Sequence, residues 1–110
     1  MSAIIDVGTS EFVEEVLTSQ LPVLVVFRAP WCGFCQLMNR VLEAIARDYD
    51  GRLKVVRVNA DENRNLAAWY EVYAVPETIL FVDGHEQQRI TGYRERDELA
   101  RMINRVIFHA

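Results

Sequence analysis

Apolar residues along this chain alternate between two patterns: short unbroken runs, and stretches with the three-to-four-residue spacing of a helix face. Ile4 and Ile5 start a short first strand. Thr9 and Ser10, both good N-cap types, precede Phe12, Val13, Val16 and Leu17 at helical spacing, and Gln20 to Pro22 stops that helix. Val23 to Phe27 is a continuous apolar, β-branched run, the pattern of a strand buried on both faces. After the break at Pro30, Leu37, Met38, Val41, Leu42, Ile45, Ala46 and Tyr49 mark one face of a long helix that Asp50-Gly51 ends. Leu53 to Val58 predicts another strand, and Asn59 to Glu62 opens a helix carrying Leu66, Ala67 and Tyr70. Beyond Pro76, the strands Thr78–Val82 and Glu86–Thr91 flank Asp83-Gly84, a hairpin turn signal. Leu99, Met102, Ile103, Val106 and Ile107 mark a final amphipathic helix.

The order βαβαβαββα predicts an α/β sheet covered by helices on both faces, with the hairpin adding antiparallel strands at one side. No repeat, linker or low-complexity tract interrupts it, and 110 residues are the size of one domain, expected to span 1–110. Composition agrees: 51% hydrophobic and 25% charged residues make a globular chain rather than a disordered one. A net charge of −4 argues against nucleic acid as a partner. No apolar run approaches the roughly 18 residues of a membrane span, so no membrane association is expected. Met1 to Ser10 has neither a basic start nor an apolar core, so no signal peptide is read and a cytoplasmic location is expected.

Two cysteines are too few for a secreted disulfide scaffold. A tetrahedral zinc site needs about four ligands. His85 and His109 lie far along the chain without ligand spacing to the cysteines, so no metal is expected.

Candidate chemistry concentrates in Trp31-Cys32-Gly33-Phe34-Cys35, where a buried strand meets the long helix. Helix positions three apart face the same way, which brings two cysteines within the Cα separation of roughly 4.4–6.8 Å that a disulfide needs. Cys32, at the helix N-terminus, meets unpaired N–H groups and the positive end of the macrodipole, both of which favour a thiolate. Cys35 lies one turn in and is expected to be more buried. The natural division makes Cys32 the attacking nucleophile and Cys35 the resolving thiol that breaks the mixed disulfide. The competing reading is a pair of core cysteines, since cysteine is often buried. A core pair, however, requires neither a helix start nor a flanking tryptophan.

Here the chain resembles the thioredoxin family over nearly its full length. Phe27, Ala29, Pro30, Trp31, Cys32, Gly33 and Cys35 are similar to the family's active-site segment, usually W-C-G-P-C. Val58-Asn59-Ala60-Asp61 is similar to its next strand end, and Val75-Pro76 to its cis-proline site. Asp83-Gly84 and Gly92 match its hairpin and the following loop. The resemblance implies a thioredoxin fold: a central mixed sheet of five strands flanked by four helices, with a cis Pro76 facing the cysteines. It implies that the Val75 backbone receives an extended substrate segment as a short added strand. Trp31, Gly33, Phe34, Ala74, Val75, Pro76, Gly92 and Tyr93 would then form a mostly apolar docking rim. Implied partners are disulfide-containing proteins and a flavin-dependent thioredoxin reductase. The chain itself is expected to be a monomer without a cofactor other than its redox-active disulfide.

Four positions depart from the family pattern. Phe34 replaces the usual proline between the cysteines, a change that generally makes the family less strongly reducing. Val26 stands where a buried aspartate usually relays the proton of the resolving cysteine. A valine cannot accept a proton, and loss of a buried anion favours the Cys32 thiolate. Arg28 replaces the usual tryptophan; it is expected to steady the thiolate and to pair with Asp61. Glu77 follows Pro76 in place of threonine, and is expected either to point to solvent or to supply the missing carboxylate from another direction. Arg57, where the family often has lysine, keeps positive charge near the site.

Together these changes predict a poise more oxidising than an ordinary thioredoxin, because a stabilised thiolate stabilises the reduced form. Two other function classes stay open at this level. One is a redox-silent chaperone or binding module, which would not need both cysteines. The other is a dimer bridged by an iron–sulfur cluster, since C-G-F-C also resembles glutaredoxin-type sites and two chains together supply four thiolates.

Overall fold

The structure is a computed structural model that describes residues 4–108. Strand β1 (Ile4–Asp6) is followed by α1 (Thr9–Phe12), which runs on as a π-helical turn over Val13–Leu17. Then come β2 (Val23–Arg28), α2 (Gly33–Asp48), β3 (Lys54–Asn59), α3 (Arg64–Trp69), β4 (Glu77–Val82), β5 (His85–Thr91) and α4 (Arg96–Ile107). The five strands form one sheet in the order β1-β3-β2-β4-β5. β1 and β2 lie parallel to β3, while β4 runs antiparallel to both β2 and β5.

β2 is the central strand, which explains its unbroken apolar sequence: alternate side chains enter two different cores. Leu24 and Val26 pack with Met38, Leu42 and Ile45 of α2 and with Leu99 and Ile103 of α4. Val23, Val25 and Phe27 pack on the other face with Phe12 and Val16, and with Ala67 of α3. On that second face Phe12, Tyr70 and Phe81 meet with ring centroids 5.4–5.9 Å apart. Aromatic pairs at such separations add to their burial, and here they anchor the chain just before the Tyr73–Val75 segment. Burial holds the Tyr70 hydroxyl above its ordinary pKa, and the charge of Glu86 adds to this.

Most sequence expectations hold to within a residue or two, and the departures have physical causes. Gly8, not Thr9 or Ser10, is the N-cap of α1. The Thr9 N–H is instead satisfied by Asn63 Oδ1 at 2.8 Å, from a segment 54 residues away, while Glu11 Oε1 accepts the Gly8 N–H at 2.7 Å. The π turn ends at Thr18, whose N–H donates to Val13 O at 2.9 Å, before the Gln20–Pro22 stop. Val13 and Leu37, on the flanks of their apolar stripes, point outward. Asn59 does not open a helix: its Oδ1 accepts from the N–H groups of Asp61 and Glu62, making a turn, and α3 starts only at Arg64.

At the hairpin, Asp83 and Gly84 both take positive φ, 52° and 78°, as a two-residue type I′ turn requires. Gly84 is also required by space, because a Cβ there would meet Leu17 O at 2.7 Å. Among the described residues, no helix is long and apolar enough to cross a membrane. Among them, too, no group of three or more His, Cys, Asp or Glu is arranged to hold a metal ion; His109 lies outside the described residues.

Candidate active site

The chain leaves β2 at Arg28, turns at Ala29-Pro30, and enters α2 with Cys32 as its N-cap in extended conformation. Cys32 and Cys35 form a disulfide with Cα atoms 5.3 Å apart. The N–H of Cys35 points at Cys32 Sγ, 3.1 Å away. One of the helix's unpaired N–H groups is thus aimed at the sulfur that carries negative charge when the pair is reduced, which lowers the cost of the thiolate. Both cysteines are buried to nearly the same degree, so the expected difference in burial is small. They cluster with Ala29 and Val75, and Cys32 Sγ lies 3.7 Å from Val75 O.

The rim residues come together from three places in the chain. The Val75–Pro76 peptide is cis. Gly92, at φ 91°, donates its N–H to Pro76 O at 2.8 Å, joining the end of the hairpin to this loop. Phe34 is 62% exposed and lies against Tyr93, ring centroids 6.4 Å apart. Trp31, 72% exposed, borders a groove of about 260 Å³ together with Ala74 and Val75. Gly33 is exposed, with open space around the position of a Cβ.

Two electrostatic expectations are corrected. Asp61 does not pair with Arg28; its Oδ2 accepts the Trp31 indole N–H at 2.8 Å. The turn capped by Asn59 carries Asp61 to the tryptophan side of the site. Glu77 neither points to solvent nor replaces the missing carboxylate. Its side chain is 6% exposed and its Oε2 pairs with Arg89 at 3.2 Å. Strand alternation is the reason. Glu77 pairs with Phe27 in register, on the α1/α3 side, whereas Val26 faces the α2/α4 side. Hydrogen bonds and charge from Glu86 hold the Arg89 guanidinium above its ordinary pKa.

Behind the disulfide, Arg28, Arg57, Gln36 and Asn39 line a cavity of about 220 Å³ that reaches Cys35. Arg57 is held by Asp6 through two contacts of 2.9 and 3.1 Å, and donates to Asn39 Oδ1 at 2.9 Å. Asp6, Gln36 and Asn39 were not legible as site residues, because nothing in their local sequence carries a motif. Thr78 was missed as well. It pairs with Val26 in register, is fully buried, and its Oγ1 has no hydrogen-bond partner among the described residues.

A family model described as "Thioredoxin" matches residues 3–105. Among curated relatives, the chain is 38% identical to a thioredoxin of Synechocystis sp. over 97% of its own length and all of that protein's. It is 39% identical to a thioredoxin of Nostoc sp. over 96% of its length and 98% of that protein's. A chloroplastic thioredoxin of Arabidopsis thaliana is 36% identical over 93% of this chain and 53% of its own.

Proposed function

The chain belongs to the thioredoxin family and is a dithiol–disulfide oxidoreductase, and from that premise we propose that it reduces protein disulfides with a poise shifted toward the oxidising side of an ordinary thioredoxin. The observation that carries this reading is the Cys35 N–H directed at Cys32 Sγ at the first turn of α2.

In the proposed cycle an extended substrate segment lies along the Val75 backbone, with Trp31, Gly33, Phe34, Ala74, Pro76, Gly92 and Tyr93 around it. Cys32 thiolate attacks one substrate sulfur, and the second substrate sulfur leaves as a thiolate. Cys35 then attacks Cys32 Sγ, closing the internal disulfide and releasing the first substrate sulfur. Two electrons pass from the cysteine pair to the substrate, and a reductase returns them. The protein acts as a single-domain monomer over residues 1–110, in a cytoplasmic compartment that keeps thiols reduced, with no cofactor beyond the cysteine pair.

Three features support the oxidising shift: Phe34 between the cysteines, Val26 in place of a buried carboxylate, and the arginines Arg28 and Arg57 lining the cavity at Cys35. The lost anion at Val26 and the positive charge of the arginines favour thiolate over thiol and so the reduced form, while Phe34 departs from the dipeptide of the strongly reducing family members; for this two-electron couple about 30 mV is equivalent to about 1.4 kcal/mol. Equilibration with glutathione buffers tests the proposal. A midpoint clearly above about −270 mV, the value for thioredoxin, is expected; a value at or below it removes the oxidising shift.

A further inference from the structure

The two sulfurs occupy different electrostatic surroundings. Cys32 Sγ receives a backbone N–H at the helix start. Cys35 meets the cavity behind the disulfide, whose polar lining is Arg28, Gln36, Asn39 and Arg57. Of the two guanidinium groups there, Arg57 is already matched by the Asp6 carboxylate. Arg28 has no ion pair among the described residues. It is half-buried between this cavity and an adjoining recess that contains Asp6 and Glu62.

The other carboxylates near the site are directed elsewhere: Asp61 to Trp31 and Glu77 to Arg89. Val26 and Met38 belong to the apolar core between the sheet and α2/α4 and offer no acid–base group. No carboxylate among the described residues lines the Cys35 cavity, so no acid–base side chain there takes a proton from Cys35.

We propose that Arg28 is the positioning residue of the resolving step: across the shared cavity, its charge holds Cys35 as a thiolate near neutral pH, so that the step needs no proton acceptor. This rests on the exchange cycle proposed above and assigns the two thiols separate sources of stabilisation, the helix start for Cys32 and Arg28 for Cys35. In the mixed disulfide the Cys35 proton has already passed to solvent. The Cys35 thiolate attacks Cys32 Sγ, the Cys32–substrate bond breaks as the Cys32–Cys35 bond forms, and the departing substrate thiolate takes a proton from water. A nearby opposite charge lowers a thiol's pKa by one or more units, the scale on which such a residue would act.

Single-cysteine variants separate the titrations, which are coupled when both thiols are present. In a Cys32→Ser background, the pH dependence of alkylation reads Cys35 alone, and it should titrate below the free-thiol value of about 8.5. Adding Arg28→Trp, which installs the residue usual in the family, should raise that midpoint by about one unit, a tenfold loss of thiolate below the midpoint. Arg28→Lys, which keeps the charge, should recover most of the shift. In a Cys35→Ser background, Arg28→Trp should move the Cys32 midpoint much less.

An unmoved Cys35 midpoint, an equal or larger shift at Cys32, or no recovery by lysine overturns the assignment. Insulin-disulfide reduction by the unmodified chain separates the two claims. Absence of exchange there removes the proposed function whatever the titrations give, whereas exchange with an unmoved Cys35 removes only the role of Arg28.

Discussion

Two regions meet at Cys32 and Cys35. On the outer side lies an apolar rim in which Trp31 and Phe34 are exposed and Val75 and Tyr93 half-buried. On the inner side lies a polar cavity with Arg28, Gln36, Asn39 and Arg57, distinct from the apolar core that holds Val26 and Met38. Trp31 and Phe34 contribute little to folding while their rings stay in water, whereas Tyr93 also packs against the α2/α4 core. The inner cavity is only partly open to solvent, so an unmatched polar group there carries more cost than one at the open surface. Substitutions in the rim should therefore change substrate affinity, and substitutions behind the disulfide should change stability and thiol chemistry.

The largest expected effect comes from placing a charge in the dry part of the inner region. Val26→Asp, at a position 2% exposed, should destabilise the fold by about 3 kcal/mol at neutral pH, because a buried carboxylate there has no cation partner. Burial raises the new carboxyl's folded pKa above its unfolded value of about 3.9. The sign follows: the penalty is full above the folded pKa and fades as pH falls toward the unfolded one. Urea unfolding at pH 8 and near pH 4 measures both. A loss below about 1 kcal/mol at pH 8 would mean that the polar cavity extends to Val26 and that the two layers are not distinct.

Phe34→Ala tests the rim. It should raise KM for a protein disulfide about fivefold, equivalent to about 1 kcal/mol of apolar contact with substrate. Stability should change by less than about 0.5 kcal/mol, since the ring is mostly exposed. Steady-state kinetics with thermal unfolding checks the pair of values. A large stability loss with unchanged KM would place Phe34 with the core rather than the rim.

The smallest effect concerns Thr78. Its hydroxyl is buried without a partner, so Thr78→Val, nearly the same shape, should stabilise the protein by about 1 kcal/mol in urea titration. Destabilisation would reveal that the hydroxyl is satisfied in solution, and that the core beside Val26 is not dry.

The strands and helices were largely legible because burial leaves a periodic trace. The unbroken Val23–Phe27 run announced a central strand, and Met38, Leu42, Ile45 and Tyr49 marked the buried face of α2. The cysteine pair was legible for a local reason as well: a three-residue spacing at a helix start constrains geometry whatever surrounds it. Ion pairing was not. Asp61 was expected on Arg28 and bonds Trp31; Glu77 was expected in solvent or at the cysteines and bonds Arg89. Charged side chains are long, pair with partners distant in sequence, and leave no periodic signal to read.

By itself, then, the sequence determined the order of elements, the two-sided sheet and the redox pair, because these depend on spacing along one segment. The tertiary structure alone decided which arginine is matched and which is not. Asp6 reaches Arg57 only because β1 pairs with β3, and Arg28 shares a cavity with Cys35 only because β2 and α2 meet at the Ala29-Pro30 turn. Electrostatic partnership depends on distance through space and on burial, and both are fixed only once strands have chosen their neighbours.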